Sequence, residues 1–83
     1  MKKIIKFAGI RYKAINVVSY EDFLTVISGR LIKPKYIDFI GIVSSNELLF
    51  QANSTIFFGI VYSDGFQKGS KATKVFLYEE VKE

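Results

Sequence analysis

The chain has 83 residues, a mass of 9.5 kDa and a formal charge of +4, so it has room for one small domain with one hydrophobic core. Its 49% apolar and 24% charged content is typical of a folded chain rather than a disordered one. Because Cys and His are absent, disulfides, thiol or imidazole metal ligands, thiol nucleophiles and imidazole acid-base catalysis are excluded. We therefore expect one compact domain over residues 1–83, with no catalytic residue, metal site or cofactor.

The basic charge is weak evidence for nucleic-acid binding. Lysine supplies most of it, since Arg11 and Arg30 are the two arginines in the sequence. Lys, Ile, Phe, Tyr and Asn have AT-rich codons and are abundant here, so the lysines can reflect an AT-rich genome rather than phosphate recognition. A bacterium, virus or mobile element with such a genome is the expected source.

The N-terminus resembles the charged head of a signal peptide only briefly. Its apolar run stops at Lys6 and is broken again at Arg11 and Lys13, so no export signal is predicted. The longest apolar stretch, Ile56 to Tyr62, is far short of the roughly 20 residues that span a bilayer. We expect an intracellular, cytoplasmic protein without a membrane partner.

The first predicted elements are strands. Apolar residues alternate with Arg11 and Lys13 over Ile10 to Val17, and a shorter apolar run covers Ile4 to Ala8. The two runs predict either two strands or one strand bent at Ala8-Gly9. One face of the second strand is apolar and the other is basic.

A single helix is predicted over residues 20–29. Ser19 can cap its first turn, where Glu21 and Asp22 suit the positive end of a helix, and Gly29 can end it. The apolar positions recur at helical spacing, at Tyr20, Phe23, Leu24 and Ile27.

The remainder of the chain predicts four strands separated by turn residues. The strands are expected at Tyr36 to Val43, Glu47 to Ala52, Thr55 to Ser63 and Thr73 to Val81. The turns are expected at Ser44-Ser45-Asn46, Asn53-Ser54 and Asp64-Gly65. Residues 64–72 have no periodicity and predict a flexible basic loop.

These elements predict a small α+β domain of order ββαββββ, with one helix packed on a mostly antiparallel sheet of five or six strands. A small β-barrel with one helix is the alternative. The strand around Phe58 is apolar on both faces, and one helix covers only one of them. The other face must be closed by curling, by a second copy or by a partner. We expect Phe58 to pack beneath Phe23 and Ile27 and Phe57 to point to the opposite side, the alternative being that the two faces are exchanged.

The absence of catalytic chemistry and the surplus of apolar strand surface favour a non-enzymatic binding protein. We expect a small inhibitor or accessory factor of a virus or mobile element, docking on a host protein or a nuclease complex. The alternative is a single-strand DNA or RNA binder that uses a basic sheet face and the lysine-rich loop. A homodimer is also expected. The candidate partner-binding residues are Arg11, Lys13, Phe57, Phe66, Lys68, Lys71 and Lys74.

Overall fold

A computed structural model describes residues 3–29, 37–54 and 56–82, with the backbone alone for 27–29. These described residues form one helix and six strands in the predicted order ββαββββ, which confirms the α+β domain with one helix. The elements are β1 (Ile4–Phe7), β2 (Ile10–Ser19), α1 (Tyr20–Gly29), β3 (Ile37–Ser44), β4 (Glu47–Ala52), β5 (Ile56–Phe66) and β6 (Ala72–Glu80).

The six strands form one antiparallel sheet in the spatial order β1-β2-β6-β5-β4-β3. This sheet curls into a half-barrel, so its two edge strands, β1 and β3, approach each other. The ring of Phe7 lies where a side chain at Gly41 would otherwise stand, and a Cβ there would collide with it. Glycine at this position therefore lets the two edges meet. Of the three ways considered for closing the face away from the helix, the structure shows curling.

Local signals explain the first elements. Ala8 and Gly9 have φ angles of 52° and 81°, the left-handed pair that a two-residue type I′ hairpin requires, so β1 and β2 are separate strands. At the start of α1 the amide of Asp22 donates to Ser19 Oγ at 3.1 Å, as the predicted cap requires.

The hairpin between β5 and β6 differs from the prediction. Strand β5 continues through Asp64 and Gly65 to Phe66, and the reversal lies within residues 67–71. The amide of Ser63 donates to the Lys71 carbonyl at 3.0 Å, so Ser63 and Lys71 flank a loop longer than the expected two-residue turn. The amide of Ser70 donates to the Gln67 carbonyl at 3.0 Å within the reversal. Gly65 has a φ of 68°, a left-handed conformation that glycine adopts easily, at an irregular position within β5 and not in the reversal.

Two apolar layers cover the two faces of the sheet. On the outer, convex face, Phe23 of the helix packs on Phe58 with ring centroids 4.7 Å apart, as predicted, and both are buried with Ala52 and Val75. The side chain of Ile27 lies outside the described residues. The inner, concave face buries Ile5, Tyr12, Ala14, Leu49 and Tyr78.

Candidate functional site

A buried carboxylate lies on the inner face of the half-barrel. Glu47, the first residue of β4, is 2% exposed. Its Oε2 accepts a hydrogen bond from the Tyr78 hydroxyl at 2.6 Å, and its Oε1 accepts one from Lys3 Nζ at 2.5 Å. A buried charge is costly unless it is paired and hydrogen-bonded, and here both carboxylate oxygens have a donor.

The Lys3 ammonium lies near two aromatic rings as well as the carboxylate. Its Nζ lies 3.8 Å from the ring centroid of Phe76 and 5.8 Å from that of Tyr78, within the range of cation–π attraction. The backbone of Lys3 is fixed because its carbonyl accepts from the Ala14 amide at 2.8 Å. We call Lys3, Glu47, Phe76 and Tyr78 the inner cluster.

Gly59 leaves the space that the inner cluster fills. A Cβ at this position would collide with Glu47 Oε2 and approach the Tyr78 ring at 3.0 Å. Gly59 is paired with Leu49 of β4 and with Phe76 of β6, so this residue without a side chain lies on a central strand of the sheet. Glycine in this strand therefore allows a close approach rather than a turn.

Two inner-face tyrosines are held in the neutral form. Burial raises the pKa of Tyr78 far above its usual value, and the hydrogen bond to Glu47 and the charge of Glu47 raise it further. Burial also raises the pKa of Tyr12, with a smaller contribution from Glu80. The raised pKa keeps the Tyr78 hydroxyl protonated, and so able to donate to Glu47, even at a pH where a free tyrosine ionises.

Exposed apolar side chains lie on the outer face of the edge strand β3. Phe39 and Ile42 are each 58% exposed, and they lie directly across from Phe50 and Leu48 of β4. We call Phe39, Ile42, Leu48 and Phe50 the outer patch. The Phe39 and Phe50 rings meet edge to face at 5.6 Å, and Phe50 stacks on the buried Phe58 at 5.5 Å. The exposed ring is therefore connected to the core by a row of aromatic contacts.

The structure divides the predicted basic residues between two ends of the sheet. Arg11 and Lys13 are exposed on β2, and Lys13 lies across from Glu79. Lys74 lies five residues away from Glu79 along β6, which corresponds to about 17 Å of strand. Lys68 and Lys71 are exposed in the 67–71 reversal at the Lys74 end. Arg11 and Lys13 therefore do not form one patch with the lysines of the reversal.

The two predicted aromatic residues lie in different environments. Phe57 is half-buried on the inner face, as the predicted alternation requires, with its ring centroid 4.9 Å from that of Tyr12. Phe66 is 44% exposed at the end of β5, and its ring contacts Tyr62 at 5.7 Å. Phe66 therefore lies beside the basic reversal, whereas Phe57 forms part of the core of the half-barrel.

Sequence reasoning missed both the inner cluster and the outer patch. A faint signal for Glu47 was present, because strand alternation places it on the same face as Leu49, where an isolated acid needs a partner. Nothing local identifies Lys3 as that partner, since 44 residues separate the two. For Phe39, alternation indicates a face but not whether the helix covers it.

Among the described residues, no group of three or more acidic, His or Cys side chains could hold a metal ion. No helix within the same part of the chain is long and apolar enough to cross a membrane. No known protein family model matches the sequence, and comparisons with curated proteins and with solved structures find no significant similarity.

Proposed function

We propose that this chain is a non-enzymatic binding protein that docks on another protein through the outer patch. The observation that supports this is the exposure of Phe39 and Ile42, two large apolar side chains on one edge strand. Single exposed apolar residues are ordinary, but neighbouring ones on a strand edge are typical of interaction sites. Such a protein acts as a small inhibitor or accessory factor inside the cell, as its composition led us to expect.

The packing of the outer patch suits an interface anchor. Binding energy concentrates in a few aromatic residues whose conformation is fixed before binding. Phe39 contacts Phe50, and Phe50 stacks on Phe58, which is 1% exposed. The exposed ring thus has a rigid base, and a partner that covers it loses little side-chain entropy in doing so.

The proposed docking uses the outer patch rather than the edge of β3. The curl of the sheet brings β1 close to that edge, so a partner contacts Phe39 and Ile42 from the outer face and does not add a strand beside β3. A second copy of the chain would use the same patch, which is the basis for proposing a homodimer.

The test is capture of the tagged protein from its native cell, comparing three forms of the chain. The double variant Phe39→Ala/Ile42→Ala should lose the captured protein, with an affinity decrease of about thirtyfold or more, while its melting temperature changes little. Ile4→Ala is the matched control, because Ile4 is 59% exposed on the opposite edge strand. Retention of the same partner at the same affinity by the double variant would refute the proposal.

A single-strand nucleic-acid binder is the second candidate. It is favoured by Phe66, which is 44% exposed beside the reversal that carries Lys68 and Lys71, because aromatic rings flanked by cations bind single strands. Affinity for an oligonucleotide would then fall steeply between about 50 and 200 mM salt, whereas apolar docking would respond little. A flat salt response, or no binding at 50 mM, rejects this candidate.

A further inference from the structure

The inner cluster has the composition of a site for an organic cation. One carboxylate oxygen of Glu47 contacts the Lys3 ammonium at 2.5 Å, and the Phe76 ring covers the same nitrogen at 3.8 Å. Aromatic faces combined with an anion are how proteins recognise amines and modified lysines. We infer that the inner face carries a binding site for a primary alkylammonium group, and that the chain fills this site with its own Lys3.

The walls of the site do not depend on Lys3. Glu47 is held by Tyr78 through a 2.6 Å hydrogen bond, and Tyr78 is 3% exposed. Phe76 and Tyr78 are both part of β6, which has a strand on each side in the sheet. Removing the Lys3 side chain therefore leaves the carboxylate and the rings in place, with one oxygen of the carboxylate lacking its donor.

The ammonium that fills the site is the replaceable part. Lys3 precedes the edge strand β1, and its side chain is 33% exposed, whereas that of Glu47 is 3% exposed. A path from solvent to the carboxylate therefore follows the lysine side chain. A soluble amine or a lysine of a partner protein offers the same alkylammonium chemistry and can enter where Lys3 now lies.

Within the part of the chain that the structure describes, Lys74 is a cation that could compete for the site. Its Nζ lies 5.2 Å from the centroid of the same Phe76 ring. It could move to Glu47 when Lys3 is removed and so hide an empty site. The experiment therefore uses Lys3→Ala together with the double variant Lys3→Ala/Lys74→Ala.

The test is chemical rescue, with n-butylammonium chloride titrated against the wild type and the two variants. Loss of Lys3 leaves a buried acceptor unsatisfied and should lower the melting temperature by roughly 5–15 °C. n-Butylammonium at about ten times its Kd should then raise that temperature by roughly 6–11 °C in the variants and leave the wild type unchanged. Potassium chloride at equal ionic strength and the uncharged isostere n-butanol should give no such increase.

Two further measurements make the result specific. In Lys3→Ala/Glu47→Gln the anion is removed along with the cation, so the rescue should disappear although the protein folds. Nα-acetyl-lysine methylamide distinguishes the two sources of the ligand. Rescue by this compound as well shows that a lysine in a peptide can enter, and rescue by n-butylammonium alone shows a site for small amines.

The opposite results would overturn the inference. One is that n-butanol raises the melting temperature of Lys3→Ala as much as n-butylammonium does. Another is that n-butylammonium stabilises Lys6→Ala equally, although Lys6 is exposed on β1. The third is that n-butylammonium still stabilises the variant that also carries Glu47→Gln. If Lys3→Ala does not fold, the titration is run as refolding from urea, and failure of n-butylammonium to restore the folded state refutes the site.

Discussion

Truncation of Phe58 tests how the helix is attached to the sheet. Phe58 is 1% exposed and contacts the rings of Phe23 at 4.7 Å and Phe50 at 5.5 Å. Phe58→Ala should cost about 3–5 kcal/mol, towards the upper value because two aromatic contacts are lost with the cavity that forms. An 83-residue domain has a total stability of about 4–12 kcal/mol, so the variant should be largely unfolded or melt at least about 15 °C lower.

The assay is urea and thermal unfolding followed by far-ultraviolet circular dichroism, at one fixed protein concentration because association would stabilise the folded state. Phe39→Ala is the matched control, since the same truncation is made at a residue that is 58% exposed. It should cost less than about 1 kcal/mol. A Phe58→Ala protein that loses less than about 1 kcal/mol, or a control that loses as much as Phe58→Ala, would refute the assignment of the core.

Three other predictions concern the inner face and the basic reversal. The pKa of Tyr78 and Tyr12 is raised by burial, so these residues stay protonated in the folded chain while unfolded tyrosine ionises near pH 10. The free energy of unfolding should therefore fall as the pH rises above about 10, by up to about 1.4 kcal/mol per pH unit for each tyrosine. The urea midpoint of Tyr78→Phe should fall less steeply with pH than that of the wild type. Gly59→Ala places a methyl group against the buried carboxylate and should cost about 1–3 kcal/mol in urea unfolding, and an unchanged midpoint would contradict the close approach. Lys68→Glu with Lys71→Glu should shift the melting temperature by less than about 2 °C, because both side chains are exposed, and should abolish any oligonucleotide binding measured by fluorescence anisotropy at low salt.

The local elements could be predicted from the sequence because their causes are local. The Ser19 cap, two acidic residues in the first turn and a helical spacing of apolar residues specify α1. The order ββαββββ follows in the same way from alternation and turn residues. Phe58 and Phe23 could be placed together because alternation put Phe58 on one face of its strand and helical spacing put Phe23 on the apolar side of α1.

The strand order and the curl were decided by contacts between distant parts of the chain. Besides β1, strand β2 pairs with β6, which lies at the other end of the chain, and not with β3, the next strand in sequence. Phe7 contacts Gly41 only because the sheet is curled. Likewise, Asp64-Gly65 has the composition of a two-residue turn, but Ser63 pairs with Lys71 and the chain reverses within residues 67–71. The turn composition of one dipeptide therefore did not decide where this hairpin reverses.

The candidate sites depended on tertiary structure for the same reason. Sequence determined that Glu47 begins a strand and that Lys3 is basic, but their ion pair joins residues 44 positions apart across a curled sheet. It also indicated a basic chain, whereas the fold put Lys13 of β2 across from Glu79, about five residues along β6 from Lys74. Composition and spacing fix which groups a chain possesses. Strand order and curvature determine which of those groups share a face and which are exposed to solvent. They do so because they set the distances between residues that are far apart in the sequence.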